Sequence, residues 1–433
     1  MIPARDGVSG SRFRFFYGWV IVAVCAITLL VVFGIRLSFT VYFVALTDEF
    51  QWPRASTAFI FSTTMIVFAL VSTPAGLALD RFGARRTFGA GAALLALGLF
   101  LSSQVQSYWQ LAFSYGVVAG LGITILGLGV QAGLIARWFR RKLGMALGLA
   151  FAGTGLGAFI LTPTTERLIS SVGWRFSYLF MAGLALLLIP LTVIFLRLTP
   201  ASMGLRPDGD LAPENSSADA PADDAAGEPA GGWTLERAAR TPAFWLVIVA
   251  SLGAIGPLRM LTVHQLAVVV DAGFDSLYAA TVIGFSGAVT AVAFVLFGAR
   301  SDRIGRRAAY GIGSVCLVGA IVLLSGMRDA RAAGWLVLYA LLLGLGEGSR
   351  SSLVTAVASD LFPGRSLGAI NGAVGAAFGL SAAFFPWFAG RLFDQSGVYS
   401  SAFAAAGLAV FISTVALWLA PAAAKKHSSP VPG

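Results

Sequence analysis

The sequence predicts an all-α integral membrane protein in which twelve transmembrane helices form two pseudo-symmetric halves of six helices each. Three observations predict this fold class: an apolar composition, twelve long apolar runs, and a charged motif that occurs once in each half of the chain. Two copies of one helical bundle are a common construction of carriers that work by alternating access. The duplication therefore points to transport before any single site residue is considered.

The composition excludes an ordinary soluble domain. Hydrophobic residues make up 57% of the 433 residues, charged residues only 12%, and the mean hydropathy is +0.82. A soluble domain of this size needs more charge to cover its surface, whereas an apolar run of roughly 20 residues suits one crossing of a bilayer. The runs of suitable length lie at residues 17–44, 55–78, 88–106, 110–135, 143–164, 174–197, 242–268, 276–299, 309–327, 333–357, 366–390 and 399–420.

A charged motif marks the same turn in both halves. It lies between the second and third runs and again between the eighth and ninth, as Gly76-x-x-x-Asp80-Arg81-x-Gly83-x-Arg85-Arg86 and Gly298-x-x-x-Asp302-Arg303-x-Gly305-Arg306-Arg307. Further glycines recur at a separation of 224 residues: Gly148, Gly155 and Gly173 with Gly372, Gly379 and Gly397. Parallel halves of six spans imply a pseudo-two-fold axis along the membrane normal and a central cavity between the halves.

The repeat divides the chain into four parts. We expect a six-helix half at residues 1–198, a largely disordered cytoplasmic linker at 199–241, a second six-helix half at 242–424 and a cytoplasmic tail at 425–433. The linker is rich in Pro, Ala, Gly, Ser and acidic residues, a composition that cannot bury a core.

The net charge of +10 is a topology signal and not a nucleic-acid surface. With both termini in the cytoplasm, 21 of the 30 basic residues fall in inner segments and six in outer segments. An excess of Lys and Arg on the cytoplasmic side follows the positive-inside rule. The sequence therefore predicts a multi-pass protein of the inner (cytoplasmic) membrane, a monomer, with both termini cytoplasmic and no nucleic-acid partner.

Two arginines inside the predicted spans are the main candidates for substrate binding. Arg36 in the first span and Arg259 in the seventh occupy near-equivalent positions in the repeat. A charge within the bilayer is costly unless it has a cavity or a partner. Two guanidinium groups that face one cavity from opposite halves would hold an anion, with carboxylate the natural bidentate partner. The alternative is that one or both pair with a carboxylate or with helix carbonyls as structure.

Three further residues are candidates for proton coupling. Glu347 and Arg350 are spaced i, i+3, so they share a helix face and can neutralise each other as a structural ion pair. Alternatively, Glu347 is a proton acceptor whose pKa depends on Arg350. His264 lies about two turns beyond Arg259 on a similar face, and histidine titrates in a useful range, although the sequence favours a gate or packing role.

Uncharged polar residues in the spans complete the candidate substrate site, although each can instead bond a helix backbone. They are Tyr115, Gln131, Ser286 and Asn371. The two charged turns are predicted to act in gating: their aspartates would pair with arginines or helix ends and hold the cytoplasmic face closed, and their glycines permit tight turns. The gating residues are Asp80, Arg81, Gly83, Arg85, Asp302, Arg303, Gly305 and Arg306.

Neither the glycines nor the cysteines indicate a cofactor or a metal. The stretch from Gly148 to Gly157 is superficially similar to a phosphate loop, but it lies inside an apolar span, where close helix packing explains it better. Cys25 and Cys316 lie in opposite halves and are predicted to be small packing residues. No paired-carboxylate motif or nucleophile triad points to an enzyme.

The repeated motif, in a chain of twelve apolar runs, resembles the signature of the major facilitator superfamily over nearly the whole chain. Within it, Phe16-Tyr17-Gly18-Trp19-Val20, Arg36-Leu37-Ser38-Phe39-Thr40-Val41-Tyr42-Phe43 and the stretch around His264 and Asp271-Ala272-Gly273-Phe274 are similar to the bacterial monocarboxylate-porter and oxalate–formate-antiporter-like branch. The resemblance implies that superfamily's fold and a role for Arg36 in substrate or proton handling. The chain departs from the branch in spans 8 and 11, which have no interior charge, whereas characterised relatives carry an arginine in span 8 and the oxalate carriers a lysine in span 11.

These features predict a secondary active transporter that moves a small organic anion, a carboxylate above all, by alternating access. Proton coupling and exchange are both open, so the expected partners are the anion, the bilayer and protons. The alternatives are a proton-coupled exporter of amphipathic compounds and a non-transporting membrane sensor.

Overall fold

The computed structural model describes residues 16–209, 233–327, 333–362 and 367–427, and most of them are helical. The predicted disordered linker falls largely on residues 210–232, outside the described residues. A 3₁₀ turn at Pro200–Met203 follows the first half, and a short helix at Leu235–Ala239 precedes the second. The described residues thus comprise the two helical regions on either side of the linker.

In the described part of the chain, twelve long helices, α1–α12, account for the twelve apolar runs. The helix Arg54–Ser102 contains two of them, because it bends at Gly83 into α2 (54–82) and α3 (84–102). The others are α1 Gly18–Phe50, α4 Tyr108–Trp138, α5 Leu143–Val172, α6 Trp174–Phe195, α7 Pro242–Asp271, α8 Ser276–Ile304, α9 Arg306–Ser325, α10 Ala333–Leu361, α11 Leu367–Ser396 and α12 Ser400–His427. The all-α membrane fold class is confirmed.

The repeat seen in the sequence is also present in the backbone. Gly83 and Gly305, which occupy the same place in the two charged motifs, have φ angles of +80° and +88°. Gly173 and Gly397, 224 residues apart, have φ angles of +88° and +70°. Glycine adopts this left-handed region without the steric penalty that a Cβ imposes. Equivalent turns therefore join equivalent helices in the two halves.

The halves meet along three pairs of helices: α1 with α7, α2 with α11, and α5 with α8. The last two contacts are related by the repeat, and each has a glycine where the two helices lie close together. A Cβ at Gly155 would lie 2.2 Å from the Gly287 carbonyl oxygen, and a Cβ at Gly379 would lie 2.7 Å from the Cβ of Ala69. Within the stretch from Gly148 to Gly157, Gly155 is therefore a site of close helix packing, as predicted, whereas a Cβ at Gly148 would meet no atom within 4 Å.

The two ends of the bundle are named here by the residues that lie there. At the linker end, α1 begins at Gly18 and α7 begins at Pro242, next to the linker. At the distal end, α2 begins at Arg54 and α7 ends at Asp271. A site in the middle of α1 and α7 is therefore about equally far from both ends.

Candidate functional site

A cavity of about 220 Å³ lies between the halves near the middle of the bundle. Residues of α1, α2, α4 and α5 line it from the first half, and residues of α7, α8, α10 and α11 line it from the second. Most of the wall is apolar. Among the described lining residues, the charged ones are Arg36, Arg259 and Glu347.

Arg36 reaches the cavity from the middle of α1, next to Ser38. The helical segments Gly18–Leu37 and Phe39–Phe50 meet at Ser38, and Arg36 lies in the last turn of the first. Its Nη2 donates to the Met65 sulfur at 3.0 Å, a weak acceptor, and its buried Nε has no hydrogen-bond partner. Among the described residues, no carboxylate forms an ion pair with Arg36; the Glu347 carboxylate in the same cavity is paired with Arg259.

Arg259 enters the same cavity from α7 but has a counterion. Its Nη2 donates to Glu347 Oε1 at 2.8 Å, and the two side chains are 11% and 16% exposed. The structure thus brings the two predicted arginines to one chamber. It also shows that one of them is already neutralised, which leaves a single uncompensated positive charge on the described wall.

The cavity is also bordered by an interruption of α4. The helical segments Gly120–Ile125 and Leu128–Trp138 are separated at Gly127, whose ψ of 174° is extended. Leu128 and Gly129, at the start of the second segment, line the cavity. The first N–H groups of a helix have no intrahelical acceptor and carry partial positive charge. This helix start therefore adds to the positive potential of the chamber.

Gln131 stabilises this interruption and does not line the cavity. Its fully buried amide donates from Nε2 to the Leu126 carbonyl at 2.7 Å, next to the break. Tyr115 likewise lies outside the described lining: it is fully buried, and its ring stacks on Phe39 with centroids 5.2 Å apart. Neither residue is part of the described cavity wall.

Ser286 and Asn371 also fall outside the described lining. The Ser286 hydroxyl donates to the Ile283 carbonyl at 2.6 Å, within its own helix. The Asn371 amide nitrogen donates to the Ser359 hydroxyl at 3.4 Å, which joins α11 to α10. Ser286 therefore bonds its own helix backbone, the alternative that the sequence left open, whereas Asn371 bonds a side chain of the neighbouring helix.

The predicted ion pair between Glu347 and Arg350 is wrong, because Glu347 pairs with Arg259. Arg350 is 0% exposed and points instead to α7, where its Nη2 donates to the Gly253 carbonyl at 2.9 Å. Pro257 lacks the N–H that would bond this carbonyl within the helix. Arg350 thus satisfies an acceptor that a proline leaves free, which is a structural contact.

Other contacts hold the Arg350 guanidinium on all sides. Its Nε donates to the Ala254 carbonyl at 3.3 Å, and its two terminal nitrogens donate to the hydroxyls of Ser314 and Ser413. The Tyr310 ring lies 4.5 Å away as a cation–π partner. These contacts tie α10 to α7, α9 and α12.

We expect Arg350→Met to destabilise the protein without weakening substrate binding. The substitution keeps an unbranched side chain, shorter than that of arginine, but leaves buried oxygens without donors, which costs about 1–3 kcal/mol for each unsatisfied group. Thermal unfolding in detergent would measure the loss, and titration of the folded fraction would measure affinity. An unchanged unfolding temperature together with lost binding would show instead that Arg350 belongs to the substrate site.

His264 lies outside the described cavity lining, in a cluster near the distal end. Its Nε2 is 2.9 Å from the Pro386 carbonyl, which only accepts, so Nε2 carries the hydrogen. Nδ1 then accepts from the Tyr399 hydroxyl at 2.9 Å in the neutral ring. The same hydroxyl accepts from Arg54 at 3.1 Å. His264 therefore has the gate or packing environment that the sequence favoured.

The distal cluster joins the two halves, and sequence reasoning missed it. Arg54, at the start of α2, pairs with Asp271, at the end of α7, at 2.7 Å. The carboxylate of Asp394 accepts the backbone N–H groups of Arg54 and Ala55, both at 2.9 Å, and so caps α2. The sequence did contain a signal for this cluster, since Arg54, Asp271 and Asp394 lie at ends of spans that the predicted topology places on the same face of the membrane.

The charged motifs lie at the linker end, and their described ion pairs stay within one half. Asp80 pairs with Arg137 of α4, and Arg306 pairs with Asp360 of α10 at 2.8 Å. Arg137 and Asp360 are themselves 223 residues apart, so equivalent positions of α4 and α10 carry opposite charges, and each pairs with a residue of the motif in its own half. No pair described here holds the two halves together at this end.

Two further gating candidates, Arg85 and Arg81, make contacts other than ion pairs. Arg85 Nε donates to the Leu196 carbonyl at 3.1 Å, which ties the motif to the end of α6, and the guanidinium of Arg81 lies 5.4 Å from the Phe82 ring. The side chains of Asp302 and Arg303 lie outside the described residues, so their predicted role stays a prediction.

The described start of the linker binds the loop between α4 and α5. Asp208 accepts the backbone N–H groups of Arg140, Arg141 and Lys142 at 3.0, 2.9 and 3.3 Å. Desolvation alone would raise the pKa of Asp208, but these three N–H donors outweigh it and lower the pKa overall. The carboxylate is therefore charged at neutral pH and fixes the linker beside the start of α5.

A twelve-helix membrane bundle with a charged chamber between its halves is the architecture of a membrane transporter. The sequence profile of the Major Facilitator Superfamily matches residues 24–330 and 260–433. The chain belongs to this superfamily. It is a multi-pass membrane transporter and not an enzyme.

Relatives and a solved structure agree with this assignment. Monocarboxylate transporter 12 of Rattus norvegicus is 25% identical over 438 residues, covering 96% of this chain and 88% of its own. Monocarboxylate transporter 2 of Mus musculus is 24% identical over 413 residues, covering 92% and 82%. A bacterial homologue of the human lysosomal transporter Spinster, solved in an inward-facing and unoccupied conformation, has the same fold, with a TM-score of 0.65, 15% identity and coverage of 96% and 97%.

Proposed function

We propose that this transporter carries small monocarboxylate anions by alternating access, with Arg36 as the principal contact to the carboxylate. The observation that carries the proposal is the guanidinium of Arg36, which faces the central cavity with no carboxylate partner among the described residues. A charged group inside a membrane protein persists where it has a partner or performs a function. A bound carboxylate would supply the missing partner.

The charge of the cavity wall favours a monoanion over other substrates. Arg259 and Glu347 neutralise each other, so Arg36 leaves one positive charge. A monocarboxylate would neutralise it, a dicarboxylate would leave a net negative charge, and a neutral molecule would leave Arg36 unpaired. Because charges interact strongly where water is scarce, each mismatch weakens binding. The monocarboxylate transporters among the relatives support the same substrate class.

The carboxylate would have two sources of hydrogen bonds. Arg36 offers a planar fork of donors that matches both oxygens. The first turn of Leu128–Trp138 offers backbone N–H groups and the positive end of a helix dipole. Interrupted helices serve this purpose for anionic substrates in other carriers.

The ion pairs and caps between the halves support a conformation open toward the linker end. Arg54, Asp271 and Asp394 join the halves at the distal end, whereas the described pairs of Asp80 and Arg306 stay within one half. We propose that the linker end is cytoplasmic, in the inner membrane, as the positive-inside rule predicts. The conformation would then be inward-facing.

The test of the proposal is uptake into liposomes that contain the purified protein. Labelled butyrate is the probe, and unlabelled butyrate, butyramide and succinate are the competitors, which share four carbons and differ in charge. We expect butyrate to compete strongly and the other two weakly. Equal competition by butyramide would contradict the proposal, because an uncharged amide cannot neutralise Arg36.

For coupling, we expect Glu347→Gln to abolish the stimulation of uptake by a pH gradient while exchange of substrate for substrate continues. Glutamine keeps the shape of the side chain but cannot gain or lose a proton, and exchange needs no net proton movement. Uptake with and without a pH gradient, compared with counterflow in the same liposomes, measures the two activities. Equal losses in both would indicate that Glu347 is only the structural partner of Arg259.

A further inference from the structure

Building on the proposed carboxylate site, we propose that the preferred substrates are monocarboxylates with an apolar tail free of hydroxyl and amino groups. The tail would lie against four phenyl rings of the cavity wall, Phe33, Phe68, Phe294 and Phe378. This restricts the substrate class beyond a single negative charge. The proposal rests on the hydrogen-bond donors and acceptors that the cavity wall offers.

The uncharged polar side chains of the described wall have their hydrogens in use. Thr154 and Thr290 are the two hydroxyl residues among the described lining. Thr154 Oγ1 donates to the Phe151 carbonyl at 2.7 Å, and Thr290 Oγ1 donates to the Ser286 carbonyl at 2.9 Å. The described wall therefore offers a carboxylate the arginine and the helix-start N–H groups, but its uncharged side chains offer the rest of a substrate no free donor.

A polar group on the tail would lose its bonds to water and gain little. The two threonine hydroxyls can still accept, but they are fixed against their own helices. An ammonium group would need a carboxylate, and the Glu347 carboxylate is bound to Arg259. An apolar pocket discriminates against an added hydroxyl by up to about a hundredfold. Hydroxy acids and amino acids should therefore bind less tightly than the parent carboxylates.

An apolar tail would gain contacts from both halves of the protein. Phe33 and Phe68 belong to α1 and α2 of the first half, and Phe294 and Phe378 belong to α8 and α11 of the second. Each methylene group removed from water strengthens binding about fourfold. The gain should continue until the tail fills the cavity of about 220 Å³ and then stop.

The experiment measures binding of a matched series to the purified full chain, by competition with labelled hexanoate. The series is propionate, 3-phenylpropanoate, 2-hydroxy-3-phenylpropanoate, phenylalanine and 3-phenylpropanamide. We expect 3-phenylpropanoate to bind at least about tenfold more tightly than propionate, because its tail buries several more carbons. We expect it to bind about ten- to a hundredfold more tightly than its hydroxy derivative, and phenylalanine to bind least of the carboxylates.

The series separates failure of this inference from failure of the proposed function. If propionate or the hydroxy acid binds as tightly as 3-phenylpropanoate while the amide does not bind, the apolar-tail inference is wrong and the carboxylate site stands. If the amide binds as tightly as 3-phenylpropanoate, the carboxylate site itself is wrong.

Two ring substitutions test the placement of the tail. Phe68→Ala and Phe378→Ala should each reduce the advantage of 3-phenylpropanoate over propionate and leave the preference for carboxylate over amide unchanged. Phe113→Ala is the matched control, since Phe113 is 61% exposed and does not line the cavity. If the ring variants and the control give the same ratio, the tail does not lie against these rings.

Discussion

Replacing Arg36 with alanine is expected to weaken monocarboxylate binding by about a hundredfold or more and to abolish uptake at low substrate concentration. Truncating one partner of a buried, hydrogen-bonded charge pair costs roughly 2–5 kcal/mol, and each 1.4 kcal/mol corresponds to a factor of ten in affinity. Binding of labelled butyrate to the purified variant measures the loss directly. The variant should fold, since the described contacts of Arg36 are one weak bond to Met65 and the Phe33 and Phe61 rings.

Arg36→Lys and Arg259→Ala are informative comparisons. Lysine keeps the positive charge but loses the planar fork of donors, so we expect binding between that of the wild type and that of Arg36→Ala. Arg259→Ala leaves Glu347 unpaired beside Arg36, which places a competing carboxylate in the chamber. Wild-type affinity in Arg36→Ala would contradict the proposed site, whatever the other variants do.

The fold was predictable from the sequence because a bilayer imposes strong local rules. Each span needs a long apolar run, and the motif around Gly83 recurs around Gly305 with the same positive φ. The helices extend past the runs at their ends: α1 continues to Phe50, through polar residues that the hydropathy pattern assigns to water. Span number, order and pseudo-symmetry are therefore local properties of the chain.

The site was predictable only in part, because the charged side chains find their ion-pair and hydrogen-bond partners on other helices. Arg36 and Arg259 reach one cavity as their equivalent positions predict. The spacing of Glu347 and Arg350 suggested a pair, but a spacing of i, i+3 describes neighbours on one helix and ignores the other helices. A carbonyl freed by Pro257 on α7 attracts Arg350, and Glu347 turns to Arg259.

The uncharged polar candidates could not be sorted from the sequence for a similar reason. A serine or glutamine in a helix can bond its own backbone or face a cavity, and the choice depends on which way the helix is turned. Ser286 and Gln131 bond backbone carbonyls. Thr290, one turn from Ser286, also bonds its own helix, yet it lines the cavity. Only the packed bundle decides between these outcomes.

Adding one methyl group at Gly157 is expected to be among the most destabilising single changes in the protein. In Gly157→Ala, the new Cβ would lie 2.1 Å from the Leu30 carbonyl oxygen and 2.9 Å from the Gly34 amide nitrogen, both in the backbone of α1. Backbone atoms cannot turn aside as a side chain can, so α1 and α5 must separate. Overpacking of this kind costs about 3 kcal/mol, and thermal unfolding in detergent would measure it.

Gly148→Ala is the matched control, because it makes the same substitution in the same helix. No atom lies within 4 Å of the position that a Cβ would take at Gly148. Alanine is a better helix former than glycine by about 1 kcal/mol, so this variant should be as stable as the wild type or slightly more so. Helix propensity would thus favour both variants equally, and only packing against α1 distinguishes them. Equal stability of the two would show that α1 and α5 do not approach each other as closely as Gly153 and Gly157 allow.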